Sequence, residues 1–280
     1  MKLNCFADSH SHTNFSFDAQ DAVDDMCASA VKCGLSALAI TDHCDYDNVI
    51  EGLYTPYDAE NIYKAVTAAR EKYDGKLIVL HGIELGEGHL YSNQARGLIE
   101  KYNYDIVLGA LHNLKRAPDF SFMDFSILNV DICMKFFARS LDEIYEMLDF
   151  DYISSLAHIN YPMRYIRRAG HDFSYEPFYP RLEKIFKKLI ERDIALEVNT
   201  SGWHKAPISP DPDKRTMPDM CLVEFYYNLG GRLITVGSDA HSVSQVGVGI
   251  KETLSKLHQI GFREITVFIG GKPVMVPLVI

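Results

Sequence analysis

None of the 280 residues belongs to a long hydrophobic run. No apolar stretch approaches the roughly 20 residues that cross a bilayer as a helix, so no membrane partner is expected. Cysteine is sparse: Cys5, Cys27, Cys33, Cys44, Cys133 and Cys221 are scattered and form no C-x-x-C pair. That spacing excludes a disulfide framework and suits reduced thiols in a cytoplasmic protein. The chain reaches polar Asp8 and His10 too early to hold the apolar core of a secretion signal. Basic residues are the minority, 28 against 38 acidic for a formal charge of −10, and they form no stripe. Nucleic acid is therefore not an expected partner. A Walker-type glycine loop is also missing, which argues against nucleotide hydrolysis by a P-loop.

What is present is an alternation. Short apolar runs at 3–7, 35–40, 77–80, 106–111, 152–157, 194–198 and 233–236 are separated by helix-like segments near 20–33, 57–73, 92–102, 131–148, 178–192, 218–229 and 251–260. The runs are mostly too short for helices, and several are rich in Ile and Val. Gly34, Gly75 and Gly230 stand where helices should stop. Repeated strand–helix units imply parallel strands, and seven of them favour a closed α/β barrel over an open sheet. Residues 117–129 and 165–179 read as long loops at the barrel mouth, where substrate pockets are built. The tail, 265–278, reads as a hairpin turning at Gly270-Gly271. No linker interrupts the chain, so residues 1–280 are expected to form one domain.

The polar residues fall at the ends of the runs. The first ends in Asp8-Ser-His10-Ser-His12, the second in Thr41-Asp42-His43 and the third in Gly82-Ile83-Glu84. The fourth ends in His112 and the fifth in His158; the sixth carries Glu197 and Asn199, and the seventh ends in Ser238-Asp239-Ala240-His241. In an α/β barrel the C-terminal strand ends surround one mouth, so these positions converge. On a strand, residues two apart share a face, which lets His10 with His12, and Asp239 with His241, aim at one cavity. Imidazole and carboxylate together suit Zn, Fe or Mn. Eight or nine ligands exceed what a single catalytic zinc takes from a protein, so two or three ions are implied, with a carboxylate such as Glu84 bridging. His89, His171 and His258 fall in helices or loops, and the pleat should turn His81 away from Glu84.

These residues resemble a known family. HSHT at 10–13, ITDH at 40–43, GIELG at 82–86, LH at 111–112, AH at 157–158 and SDAH at 238–241 look like the PHP (polymerase and histidinol phosphatase) superfamily. NTSG at 199–202 and the tail GFREITVFIGGKPVMVPL resemble its histidinol-phosphate phosphatase branch. The resemblance implies a distorted (β/α)7 barrel of the PHP type, TIM-barrel-like, with three divalent transition metal ions. His10, His12, Glu84 and Asp239 would hold one ion, Glu84, His112 and His158 a second, and His43, His241 and Asp18 a third. Asp18 stands where this branch often carries histidine, and His204 where it commonly shows arginine. The implied activity is hydrolysis of L-histidinol phosphate, a phosphoric monoester, in histidine biosynthesis. Glu84, Asp239 and His241 would be its catalytic groups, and Asp239 or a nearby histidine would pass a proton to the leaving alkoxide.

A small-molecule phosphate needs a grip outside the metal shell. Arg164, placed by its position after His158 in a loop, is the first choice, followed by His204 and Lys205 after the sixth run. Arg167 and Arg168 rank lower, and Lys115 and Arg116 are a reserve. The ammonium and imidazole of histidinol would need an acidic or aromatic partner among Asp119, Asp124 and Trp203. The alternatives are a PHP phosphoesterase for another small phosphate, nucleotide or phosphoprotein, an amidohydrolase, and a non-catalytic PHP module. An amidohydrolase would want a metal-bridging lysine at the fourth strand end, and a degenerate module would have lost ligands.

Overall fold

The computed structural model describes residues 2–47, 52, 54–204 and 211–279. Its strands are β1 (Ala7–Asp8), β2 (Ala37–Ile40), β3 (His43–Asp45), β4 (Ile78–Gly86), β5 (Ile106–Ala110), β6 (Ser155–Leu156), β7 (Ala195–Asn199), β8 (Ile234–Gly237), β9 (Glu264–Ile269) and β10 (Lys272–Pro277). The helices are α1 (Val23–Cys33), α2 (Ala59–Lys72), α3 (Ser92–Tyr102), α4 (Val130–Met147), α5 (Tyr161–Arg168), α6 (Tyr179–Glu191), α7 (Met220–Asn228) and α8 (Ile250–Ile260).

The parallel sheet runs β1-β2-β4-β5-β6-β7-β8, with β3 on the far half of β4. Ala37 to Ile40 pair with Ile78 to His81, and His43 to Asp45 pair with Glu84 to Gly86. β2 and β3 thus act as one wall of the barrel, interrupted where Thr41 donates its amide to Ser11 instead. Main-chain bonds from Ser9 to Val236 (2.9 Å) and from Asp239 to His10 (2.9 Å) bring β8 back to β1. Seven parallel walls therefore make a nearly closed barrel, as the alternation predicts. Both faces of such strands are covered, so they read as continuous apolar runs: Ala37–Ile40 and Ile106–Ala110 are buried at every position.

Helix ends follow local chemistry. α1 carries Asp24 and Asp25 in its first turn and Lys32 in its last, matching the helix dipole, and stops at Gly34 with φ 80°. The side chain of Asn129 accepts from the amide of Ile132 to start α4. β9 and β10 pair antiparallel around Gly270 and Gly271, whose φ of 58° and 73° suit the tight turn. Asp105, just before β5, accepts from both turn glycines, and Ile234, the first residue of β8, donates to Thr266. The hairpin thus covers the N-terminal end of the barrel and leaves the other end to the site.

One expectation fails. The segment after β6 is not a loop at its start: residues 161–168 form α5, with Pro162 in the first turn and Pro162, Met163, Arg164 and Ile166 buried. Proline is pre-shaped for a helix start. At eight residues the helix is shorter than the span over which periodicity separates helix from loop.

Candidate metal centre

All the predicted ligands except Asp18 sit in or just past the C-terminal halves of the barrel walls, β2 and β3 counting as one wall. His10 and His12 follow β1, His43 opens β3, Glu84 lies in the second half of β4, and His112 and His158 each fall two residues past β5 and β6. Asp239 and His241 follow β8, and Asp18 comes from the loop between β1 and α1. The fold brings all nine together, and Glu84 is their centre. Its Oε1 lies 2.7 Å from His158 Nε2 and 3.2 Å from His112 Nε2. Its Oε2 lies 3.0 Å from His43 Nδ1, 3.3 Å from His10 Nε2 and 3.4 Å from His12 Nε2. One carboxylate therefore faces two separate sets of imidazoles.

The second nitrogens of these rings decide what the first ones can do. His10 Nδ1 donates to Glu197 at 2.6 Å, because a carboxylate only accepts. Ser16 gives its hydroxyl proton to Asp42, so His12 Nδ1 must donate to the Ser16 oxygen. Neutral His10 and His12 are thereby both left with bare Nε2 lone pairs, which lie 3.1 Å apart. Two lone pairs at that distance repel unless a cation sits with them. His241 repeats the pattern: Nδ1 donates to the Asp239 carbonyl, and bare Nε2 faces Asp18 Oδ2 at 3.0 Å. Among the described residues, His43 Nδ1, Asp45 Oδ2 and Glu84 Oε2 are buried without a hydrogen bond. The donor set and its orphaned atoms fit bound cations, the hydrogen bonds behind each ring holding it in the ligating tautomer. Among the described residues, four sets of three have donor atoms within 4.8 Å of one another: His12, His43 and His241; His10, Glu84 and His158; His10, His12 and Asp239; and His43, Asp45 and His112.

Electrostatics point the same way. Burial opposes charge on Glu84, but His10, His43 and His112 hold its carboxyl well below the usual range. Burial likewise opposes protonation of His10, His43 and His112, yet Glu197, Glu84 and Asp45 beside them push all three well above the ordinary imidazole value. His12 goes the other way, driven down by burial and by His241 and His43. The protein alone must gather protons to offset its carboxylates; a metal ion would take their place.

A layer of acids supports the cluster from behind. Asp8 accepts from the amide and hydroxyl of Ser238 and from the Gly247 amide, Asp42 from Thr13 and Ser16, and Glu87 from the amides of His112 and Asn113. Glu197, carried by the sixth run, supports the rings from behind: its second oxygen accepts from the His158 amide. Asn199 is also set back, accepting from Ser201. Asp45 was not anticipated, though it stands two residues after His43 on the same strand, the spacing that marked His10 with His12. Two ligand candidates sit on left-handed backbone, His158 at φ 24° and Asp239 at φ 54°. Non-glycine residues hold such angles where a site demands them. Gly237 is needed too, because a Cβ there would lie 2.4 Å from His10 Cβ.

The cluster opens into a small cleft of about 120 Å³. Arg164 lines it from α5, only 3% exposed, with a bond to Ser201 and a contact of 3.7 Å to Asp239. Its Nε has no hydrogen bond. His204 instead donates to the Ser238 carbonyl at 2.7 Å and does not line the cleft. Lys205 lies outside the described residues. Arg167 is paired with Asp219, away from the cleft. His81 packs on Tyr104 outside the cluster, on the side the pleat predicts.

The PHP domain family matches residues 8–201, more than half of the chain. The chain belongs to the PHP family. A probable histidinol-phosphatase of Thermotoga maritima is 31% identical over 97% of this PHP chain and 99% of its own. One from Clostridium acetobutylicum is 26% identical over 92% and 95%. The crystal structure of the Lactococcus lactis histidinol phosphate phosphatase, complexed with zinc, L-histidinol and phosphate, superposes with a TM-score of 0.80 at 20% identity, covering 96% of this chain and 98% of that one. That likeness carries the barrel fold. The matched PHP span ends before Asp239 and His241, which join the cluster only because β8 returns to β1.

Proposed function

We propose that this PHP protein, acting as one domain, is a metal-dependent phosphomonoesterase that hydrolyses L-histidinol phosphate to L-histidinol and phosphate, a step of histidine biosynthesis in the cytoplasm. The observation that carries the metal dependence is the Glu84 carboxylate set between two groups of imidazoles whose outer hydrogen bonds leave their inner lone pairs bare. The substrate rests on the relatives, whose named activity is that of a histidinol-phosphatase. No described helix is long and apolar enough to cross a membrane.

Three divalent ions are assigned here. His10, His12, Glu84 and Asp239 would hold one, Glu84, His112 and His158 a second, and His43, His241 and Asp18 a third, with Asp45 close to the last two sets. Histidine and carboxylate accept Zn, Fe or Mn. When bound, such ions lower the pKa of water and offset charge on phosphoryl oxygens. Arg164 presents a buried planar fork to two phosphate oxygens, oriented by Ser201 and Asp239. Asp239 lies between Arg164 and His241, where its carboxylate can take the proton that the attacking water gives up and pass it to the leaving alkoxide. His241 is held by the Asp239 carbonyl, which leaves Nε2 as the atom it brings to the site. The narrow cleft suits a terminal phosphate. The test compares kcat/KM for histidinol phosphate with that for the diester bis-p-nitrophenyl phosphate. The monoester should be much the faster; faster turnover of the diester overturns the assignment.

A further inference from the structure

The cleft has a second wall that phosphate chemistry does not use. Asp119 lines it and is 2% exposed. Its two oxygens accept from the Ser121 amide at 2.6 Å and from the Tyr54 hydroxyl at 3.0 Å. Both donors are neutral, and among the described residues no lysine, arginine or histidine pairs with Asp119. It is also absent from every set of side chains close enough to share an ion. A carboxylate out of water with only neutral partners is costly to keep there, so a cation is the complement it lacks. Its place is fixed: the amide of Phe120 bonds the carbonyl of His112 at 2.9 Å, and the Phe120 ring is fully buried. Asp119 is thus tied by the backbone to a residue of the metal cluster. Of the other acidic or aromatic candidates, Asp124 is exposed and bonds Ser126, and Trp203 lies against Gly249 and Arg215 outside the cleft.

We infer that Asp119 is a specificity-determining residue that binds an ammonium group on the alcohol side of the phosphomonoester. The inference rests on the phosphatase reading above and adds that the preferred substrate carries a positive charge near its phosphate. The cluster and Arg164 take the anionic end, and Asp119 takes the cationic end of the same small molecule. Tyr54 positions the carboxylate, and its ring stacks on Phe17 at 3.6 Å, closing that side of the mouth. Asp119 touches no reacting atom and affects which substrate is held.

The experiment reads a ratio, so that a general loss of activity cancels. Wild-type protein and Asp119→Asn are compared on histidinol phosphate and on p-nitrophenyl phosphate. A charged hydrogen bond is at stake, so the ratio of their kcat/KM values should fall about 10- to 100-fold in the variant. A ratio unchanged within about threefold overturns the inference. If histidinol phosphate is a poor wild-type substrate, the function proposed above fails separately, and O-phosphoethanolamine against ethyl phosphate supplies the ratio instead. Should Asp119→Asn not fold, wild-type protein decides. L-histidinol should inhibit p-nitrophenyl phosphate hydrolysis at least about tenfold more strongly than N-acetyl-histidinol, which lacks the ammonium charge. Equal inhibition overturns the inference.

Discussion

Glu197 sits behind the cluster, yet it sets the tautomer of a candidate ligand. Its Oε1 accepts from His10 Nδ1 at 2.6 Å and its Oε2 from the His158 amide at 2.9 Å; the Glu197 and His10 side chains are fully buried. Glu197→Gln keeps the shape and replaces one acceptor with an NH2 group. If that NH2 faces His10, the imidazole must flip tautomer and protonate Nε2, removing its lone pair from the cluster. If it faces His158 instead, two buried donors oppose each other at the backbone. The first arrangement removes a lone pair from the cluster and the second leaves two buried donors opposed, a cost of about 1.5–3 kcal/mol, or roughly 10- to 100-fold in metal affinity. The assay is chelator competition on the purified protein, followed by turnover at limiting metal. Affinity should fall by that factor, and kcat with it when metal is limiting. If Glu197→Gln binds metal and turns over like wild type, His10 does not ligate through Nε2 and the tautomer argument is wrong.

Two further predictions use other parts of the molecule. Arg164→Ala, with metal content checked, should lower kcat/KM for the phosphate substrate by about one to three decades; unchanged kinetics with metals in place would put the phosphate grip elsewhere. His81 is pushed down to about 4 by burial and by the nearby Arg70. The unfolded chain therefore takes a proton near pH 6.5 that the folded chain refuses until about 4. Stability is full above the higher value and is lost as pH falls between them, by up to about 3 kcal/mol. His81→Phe, packing on Tyr104 in its place, should remove that part of the acid sensitivity. Urea unfolding of both proteins at pH 7 and pH 4.5 measures it, and parallel losses would contradict the reasoning.

The candidate ligands were legible because barrel chemistry is written locally. Each of His10, His12, His43, Glu84, His112, His158, Asp239 and His241 follows or ends an apolar run, and the parallel topology that gathers strand ends is implied by the alternation itself. Closure was favoured by the seven repeated units, but the bonds that make it, from Ser9 and Asp239, join opposite ends of the chain and could not be read from it. Nor were the hydrogen bonds that set tautomers: Glu197 is 187 residues from His10, and spacing alone left its role open. α5 was hidden by its length and its proline, which also misplaced Arg164 in a loop. Asp119 was visible only as one of three candidates, because its worth lies in burial without a counter-charge, a property of the folded loop.

Metal stoichiometry tests the central claim most directly. Elemental analysis of protein purified without chelator should find more than one equivalent of transition metal per chain. Glu84→Ala should lower that content more than any other single ligand change, since Glu84 faces both sets of imidazoles. One ion or none, in protein with full phosphatase activity, would contradict it.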